Sequence, residues 1–260
     1  MSEELINKVL AEVVKKMGGD GPAPSAAPAP APTPAAGTLP AVTEFVGTNV
    51  LGDTIGMVIA NVDPKLRAMM KLEKDFRSIG ILGARTGAGP HIFAADEAVK
   101  ATNSEILTIE LPRDTKGGAG HGSLIIFGAE DVSDARRAVE VALGELDRTF
   151  GDVYGNDAGH LEFQYTARAS YALNKAFGAP IGKAFGITVG APAGIGVVLA
   201  DTAVKAATVD VIGYASPAGG TSFSNEVISF LSGDSGAVRQ AIIAAREVGI
   251  PLLGALGATP

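Results

Sequence analysis

The sequence contains one stretch twice, and this repeat constrains the fold more than any other feature. Residues 95–106 read ADEAVKATNSEI and residues 200–211 read ADTAVKAATVDV, so six of twelve positions are identical at a constant offset of 105 residues. A second match pairs GAEDVSDARRAVEVA (128–142) with GDSGAVRQAIIAA (233–245) after a small slip. A self-match of this length indicates that a whole supersecondary unit was duplicated. The chain of 260 residues is therefore predicted to contain two domains of similar size.

Four segments are predicted along the chain. Residues 1–19 contain an amphipathic helix, whose apolar side chains share one face within residues 2–17. A Pro/Ala-rich linker follows at 20–42, and proline at this density favours extended conformations. The first domain covers 43–152 and the second 153–260. The N-terminal helix is either a disordered tail or a recognition helix that folds when it meets an apolar groove.

Within each domain, short strands alternate with helices, which is typical of an α/β fold with one helical layer. In the first domain the pattern predicts strands at 52–62, 78–84, 105–111 and 123–129, and helices at 64–72, 92–103 and 133–150. The second domain repeats this plan after a junction at 151–160.

Composition excludes several classes of function. The net charge of -7 and the pI of about 5.0 argue against nucleic acid as a partner, because phosphate binding depends on Lys and Arg. No run of 18 apolar residues exists, and the N-terminus lacks a basic secretion signal, so a cytoplasmic protein without a membrane span is expected. The absence of cysteine removes thiolate chemistry and cysteine-based metal sites.

Motifs for catalysis are weak. The loop RTGAGPH (85–91) lacks the glycine spacing of a dinucleotide site and the Lys of a P-loop, so we interpret it as a tight turn that needs a positive φ angle. His91, His121 and His160 each lie beside glycine or proline, and exposed loop positions are predicted for all three. No catalytic residue, metal site or cofactor is expected.

Two glycine-rich loops occupy equivalent places before the last strand of each domain. They read PRDTKGGAGHG (112–122) and SPAGGTS (216–222). If several copies of the chain surround an axis, these loops would converge on it and form a rim of backbone polar groups that passes small hydrogen-bonding solutes. A pair of ordinary hairpin loops fits the sequence equally well.

The repeated motif resembles a known family. A-D-x-A-V-K-A, a strand of the type VDVIGYA, a Gly/Ser-rich loop, a further strand and GD-x-GAVR-x-A are similar to the bacterial microcompartment (BMC) shell domain. Two copies, each preceded by an extra strand and helix, resemble the tandem, circularly permuted class found in propanediol-utilisation and ethanol-related compartments. The resemblance implies two ferredoxin-like α/β sandwich domains and a pseudo-hexameric trimer that tiles edge to edge with other shell proteins.

The resemblance also implies residue roles. Lys100 and Lys205 match the lysine at the edge of the family's tiles, although each could be an ordinary solvated helix lysine. SPAGGTS replaces the K-I-G-S-G loop of single-domain shell proteins. The residues expected to line pores are Arg85, Thr86, Gly87, Ala88, Gly89, Lys116, Gly117, Gly118, Gly120, His121, Gly122, Ser123, Ser216, Gly219, Gly220, Thr221 and Ser222.

The expected function is a structural shell tile, not an enzyme, whose pores pass a small polar metabolite such as 1,2-propanediol or glycerol. Its expected partners are two further copies of itself, other shell proteins and, through residues 2–17, cargo enzymes. Two alternatives from other classes are a small-molecule sensor built from two α/β domains and an enzyme that depends on His121.

Overall fold

The structure is a computed structural model of the chain, and it describes residues 42–72, 74–112, 121–218 and 225–260. The helix predicted within 1–19 and all but the last residue of the predicted linker lie outside these ranges. The described residues form one compact unit with two antiparallel sheets. We refer to the parts built on the first and second sheet as unit one and unit two.

Unit one carries a five-stranded sheet in the order β1-β2-β3-β5-β4. Short 3₁₀ turns precede β2 and follow the last helix of this unit. Its elements are β1 (Phe45–Asn49), β2 (Thr54–Ile59), α1 (Pro64–Met70), β3 (Ser78–Ala84), α2 (Ala88–Ala101), β4 (Glu105–Glu110), β5 (Ser123–Ala129) and α3 (Val132–Thr149).

Unit two repeats the arrangement, with strand order β6-β7-β8-β10-β9. Each of its strands and helices therefore has a counterpart in unit one. Its elements are β6 (Val153–Asn156), β7 (Gly159–Thr166), α4 (Tyr171–Phe177), β8 (Ala184–Ala191), α5 (Ala193–Ala206), β9 (Asp210–Ala215), β10 (Val227–Gly233) and α6 (Ser235–Gly254).

The first strand of each sheet was not predicted. β1 and β6 are edge strands of five and four residues, and β6 lies inside the segment predicted as a junction at 151–160. Both contain glycine and asparagine, which have low β propensity. They form because antiparallel pairing with β2 and β7 satisfies their backbone groups, a tertiary effect that a local pattern does not contain.

Helices pack closely on the sheets because small residues face them. A Cβ atom at Gly80 of β3 would lie 2.6 Å from the Ala135 carbonyl oxygen of α3, and one at Gly186 of β8 would lie 2.9 Å from Ile242 of α6. The same device thus occurs in both units. It gives this glycine-rich chain a dense helix-on-sheet layer with few aromatic residues.

The largest core cluster joins the two units. It contains Phe93 of α2 in unit one and Phe185 of β8 in unit two, whose rings stack with centroids 5.9 Å apart. Phe177 of α4 stacks on Phe185 at 5.9 Å and on Phe230 of β10 at 5.0 Å. Because apolar side chains of both units share one core, the two units form a single folded body.

Candidate functional site

The glycine loop before α2 is a tight turn packed against Phe150. Gly87 is the N-cap of α2 with φ at 82°, and a Cβ there would lie 2.2 Å from Phe150. This confirms the turn with positive φ that the sequence predicts for RTGAGPH. The amide of Ala88 donates to the His121 carbonyl at 3.0 Å, so this loop lies beside the segment that leads into β5.

Two of the three predicted groups of pore residues therefore come together in unit one. They are the described residues Arg85, Thr86, Gly87, Ala88 and Gly89, and His121, Gly122 and Ser123. Ser216 follows β9 in unit two. The remaining predicted pore residues lie outside the described ranges: Lys116, Gly117, Gly118, Gly120, Gly219, Gly220, Thr221 and Ser222.

The prediction that all three histidines are exposed is wrong. His91 lies in the first turn of α2 with 0% of its surface exposed. Its Nδ1 donates to the Gly87 carbonyl at 2.5 Å, and its Nε2 lies 2.7 Å from the Thr54 hydroxyl. Burial lowers the pKa of His91 to about 4, against the opposing effect of the hydrogen bond to Gly87, so the ring is neutral at pH 7 and has a structural role.

His121 and His160 converge on one buried carboxylate between the units. His121 Nδ1 of unit one lies 3.6 Å from Glu226 Oε1, and His160 Nε2 on β7 lies 3.2 Å from Glu226 Oε2. The Glu226 side chain is 3% exposed, and the two histidine side chains are 17% and 13% exposed. The cluster thus bridges the two units through charged or polar side chains.

Glu162 adds a second buried carboxyl to this cluster. It follows His160 by two residues on β7, so both side chains lie on the same face of the strand. A Cβ on Gly89 would lie 2.7 Å from Glu162 Oε2, which explains why α2 begins with small residues here. Sequence reasoning missed Glu162 and Glu226, since they are 64 positions apart and adjoin only through the order β7-β8-β10.

The electrostatic surroundings of Glu162 and Glu226 give the two carboxyl groups different pKa values. Burial raises the pKa of Glu162 to about 7. Burial also acts to raise the pKa of Glu226, but the nearby imidazole of His121 and the hydrogen bond from His160 outweigh it and lower that pKa to about 2. For His160, burial is outweighed by the hydrogen bond to Glu226 and the charges of both glutamates, so its pKa is raised. Glu226 is therefore the permanent anion of the cluster, and Glu162 titrates near neutrality.

A small cavity of about 50 Å³ adjoins the cluster. Its polar wall is formed by His121, Glu162 and Glu226, and its other walls are mainly apolar. Two predicted pore residues, Ala88 and Gly89, border it, and the apolar lining consists chiefly of Leu111, Phe177, Ile187, Val189 and Ile228. The cavity lies where unit one meets unit two and has room for a few non-hydrogen atoms.

A second contact between the units involves the repeated motif. Asp96 of α2, fully buried, accepts hydrogen bonds from the amides of Ser170 at 3.0 Å and Leu173 at 3.2 Å, and so caps α4 of unit two. Lys100 Nζ lies 2.9 Å from Asp96 Oδ2. Burial raises the pKa of Asp96, although Lys100 and the two amides oppose this effect.

Among the described residues, the equivalent pair of unit two makes no contact of this kind. Asp201 and Lys205 pair with each other at 2.7 Å on α5, with side chains 57% and 73% exposed. The structure thus places the two predicted tile-edge lysines in different surroundings, because the Lys100 side chain is only 24% exposed.

The same asymmetry extends to apolar residues. Phe93 and Ile106 of unit one are 2% and 8% exposed, whereas their counterparts at the offset of 105, Val198 and Val211, are 41% and 53% exposed. We call this surface of unit two the open face. It comprises the exposed side chains of α5 and β9, which are Val197, Val198, Val204, Val211, Ile212 and Tyr214.

A complementary apolar surface lies on α1 of unit one. α1 corresponds to α4 of unit two at an offset of 107, and α4 packs on α2 and β4 of unit one. Leu173 of α4 is fully buried in that contact, whereas its counterpart Leu66 is 48% exposed. Met69, one turn further along α1, is 79% exposed.

Further classes of site find no support in the described residues. Across 42–72, 74–112, 121–218 and 225–260, no group of three or more His, Cys, Asp or Glu side chains is arranged to hold a metal ion. Within these ranges, no helix has the length and apolar character needed to cross a membrane.

Comparison with known proteins gives consistent matches along the chain. The model of the BMC domain matches residues 78–156 and 184–256. The bacterial microcompartment shell protein PduB of Citrobacter freundii is 65% identical over 261 residues, which cover 100% of this chain and 96% of the relative.

Solved structures agree with this result. The crystal structure of a trimeric bacterial microcompartment shell protein PduB superposes with a TM-score of 0.82 at 56% identity, covering 84% of this chain and 96% of that one. EtuB from Clostridium kluyveri superposes with a TM-score of 0.80 at 59% identity, covering 84% and 95%.

The chain therefore belongs to the BMC-domain family of bacterial microcompartment shell proteins, in the class that carries two such domains in tandem. Within that class, its similarity to PduB of Citrobacter freundii extends over the whole of this chain and 96% of the relative. The predicted fold class and the predicted structural, non-enzymatic role in a microcompartment shell are confirmed by these matches.

Proposed function

We propose that the chain forms a trimeric shell tile in which unit one of each copy covers the open face of unit two of the next copy. The observation that carries this proposal is the contact between units inside the chain, which serves as a template. There, α2 and β4 of unit one are covered by α4 of unit two. On the open face, α5 and β9 are the counterparts of α2 and β4. In the same way, α1 of unit one is the counterpart of α4.

In this arrangement Leu66 and Met69 of α1 pack on α5 and β9 of the neighbouring copy. The contact joins different surfaces of the two copies, so it is heterologous and must either close into a ring or continue as a filament. Three copies supply six units, in keeping with the relative whose structure is described as trimeric. Six similar units in a ring produce the pseudo-hexagonal outline that the sequence resemblance implies.

Native mass spectrometry of the full-length protein tests the ring. The expected mass is three times the chain mass of 26.2 kDa. A stable monomer at micromolar concentration, or a symmetric dimer, would contradict the proposal.

Tiles are proposed to join other shell proteins along edges that carry Lys100 and Lys205. The 73% exposure of the Lys205 side chain supports this role directly, since its ammonium group reaches solvent. Lys100 already donates to Asp96, Glu97 and Thr166, which uses its three donors, so it would contribute through its position at the end of α2.

The cavity between the units is proposed to lie on the route of a small polar solute. One wall offers carboxyl and imidazole groups and the opposite walls are apolar, a combination that suits a short carbon chain with neighbouring hydroxyl groups, such as 1,2-propanediol or glycerol. The predicted pore residues Ala88, Gly89 and His121 border this cavity. A crystal structure of the trimer soaked in 1,2-propanediol should show the diol beside Glu162; a diol bound only elsewhere would reject this route.

A sensor remains the second candidate function, because a cavity with buried titratable groups can also bind a ligand tightly. Calorimetric titration with 1,2-propanediol separates the two functions. Passage through a pore requires weak binding and fast release, so we expect millimolar affinity. Saturable binding below the millimolar range with a change in conformation would favour the sensor.

Residues 2–17 are proposed to bind cargo enzymes, on the strength of their amphipathic pattern alone. Deletion of residues 1–37 should leave the trimer intact and reduce the amount of cargo that copurifies with shells. Unchanged copurification would reject this role.

A further inference from the structure

The polar cluster between the units brings four titratable side chains together. The Lys205–Asp201 pair, by comparison, lies in solvent and joins residues one turn apart on a single helix. Here two largely buried histidines and two buried glutamates lie together, and they belong to three separate segments: the short segment before β5, the strand β7 and the residue before β10.

We propose that His121, His160, Glu162 and Glu226 form a proton-operated latch that holds unit one against unit two in weakly acidic solution and loosens as the pH rises through neutrality. The latch concerns the junction within one chain and does not depend on assembly of the trimer or on passage of a solute.

The geometry gives each group a defined part. Glu226 is the anchor, because imidazole nitrogens of both units lie near its two oxygens, at 3.6 Å for His121 and 3.2 Å for His160. Glu162 lies on the same strand face as His160 and is 4% exposed. When Glu162 is protonated, the cluster carries one carboxylate shared by two histidines.

Loss of the Glu162 proton changes the charge balance. A second carboxylate then lies in the same buried space as Glu226, and like charges in a poorly hydrated site repel strongly. Among the described residues, the charged and titratable groups that face Glu162 are His160 on β7, Glu226 before β10 and His121 before β5. α2 and β8 face it with Gly89, Ile187 and Val189, which supply no charge.

The direction of the pH effect follows from these surroundings. The pKa of Glu162 is raised from 4.5 to about 7 in the closed junction, so opening releases a proton and is favoured as the pH rises between these values. The raised pKa of His160 acts in the same direction above pH 6.5. Glu226, whose pKa is lowered to about 2, stabilises the closed junction above pH 4.5 and loses this effect as the pH falls towards 2.

Hydrogen exchange of the full-length protein, followed by mass spectrometry from pH 5 to pH 8, measures opening of the junction. After correction for the chemical exchange rate, the opening constant for peptides of β7 and β10 should rise by up to about tenfold per pH unit between pH 5 and pH 7. The Glu162→Gln variant keeps the shape without the charge, and its opening should be nearly independent of pH over this range.

Two further variants identify the titrating group. Glu140→Gln removes an exposed carboxyl of α3 and should keep the wild-type pH dependence. Glu162→Asp retains a titratable group and should recover much of that dependence, which a purely structural role of Glu162 does not explain. Corrected opening that is independent of pH in the wild type, or equally pH-dependent in Glu162→Gln, would overturn the proposal.

Discussion

The surface formed by α2 and β4 in unit one and its copy formed by α5 and β9 in unit two differ in one respect above all. The first is covered by the other unit of the same chain, and the second is exposed. Phe93 and Val198 occupy equivalent positions, yet one is 2% and the other 41% exposed. Duplication of a unit that buries one face against its neighbour leaves one such face uncovered. That face is then available for contact with another copy of the chain.

The N-terminal caps of α1 and α4 come from different parts of the chain, so the two helices depend to different degrees on contacts outside themselves. Asp63 caps α1 from within the same helix, since its Oδ1 accepts from the amides of Lys65 at 2.9 Å and Leu66 at 3.0 Å. Ser170, at the equivalent place, makes no side-chain cap, and Asp96 of unit one caps α4 instead. The helix proposed to contact another copy can thus form before association, whereas α4 relies on a contact inside the chain.

The largest effect should come from truncating the covered face. Phe93→Ala removes a ring that stacks on Phe185, and we expect a loss of about 3–5 kcal/mol in the free energy of unfolding. Val198→Ala is the matched change on the open face and should cost the isolated chain less than about 1 kcal/mol. Denaturant unfolding of both variants checks this; equal losses would mean that the two faces are equally buried in the chain.

A charge on the open face should act on assembly rather than on folding. Val198→Asp places a carboxylate where the proposed trimer buries an apolar side chain, an unfavourable change of at least about 2 kcal/mol per contact. We expect a folded protein by circular dichroism that sediments as a smaller species than the wild type. Sedimentation of the variant as an intact trimer would show that α5 lies outside the interface.

The two aspartates of the repeated motif should differ by a smaller amount. Asp96→Ala leaves the first-turn amides of α4 without an acceptor and Lys100 without its buried partner, so we expect a cost of about 1–3 kcal/mol. Asp201→Ala removes only an exposed pair on α5 and should change stability by less than about 0.5 kcal/mol. Thermal unfolding of both variants tests this difference. Equal stability of the two variants would mean that the cap on α4 contributes nothing to the free energy of unfolding.

The smallest effect on stability is expected at the edge of the tile. Lys205→Ala should leave folding and the trimer unchanged, since the side chain is 73% exposed. Its proposed role predicts fewer and smaller sheets of tiles by electron microscopy. Lys205→Arg keeps the charge and is the matched control; sheets of normal extent in Lys205→Ala would remove this lysine from the seam.

Much of the fold could be predicted from the sequence because the repeat and the local patterns agree. β3 and β5 were predicted with the bounds that the structure has, and the offset of 105 correctly pairs α2 with α5 and β4 with β9. β1 and β6 could not be predicted because pairing with a neighbouring strand, rather than local propensity, stabilises them.

The site was harder to predict because its groups meet only in three dimensions. His160, Glu162 and Gln164 alternate with apolar residues along β7, a pattern that normally indicates a strand with one solvated face. In the structure unit one covers that face: Glu162 and Gln164 are buried, and Gln164 donates to the Thr149 carbonyl. A polar alternation predicts which side chains share a face, but it does not reveal that another unit lies over that face.

Disulfide trapping tests the central claim most directly, because the chain has no cysteine of its own. Leu173 and Asp96 meet inside the chain at 3.2 Å between amide nitrogen and carboxylate oxygen, and Leu66 and Asp201 are their counterparts. A double variant, Leu66→Cys with Asp201→Cys, should give covalently linked dimers and trimers on a non-reducing gel. Each single variant should give no covalently linked trimer on the same gel. A double variant that stays monomeric under oxidation, beside a wild-type protein of trimeric mass, would contradict the proposed contact.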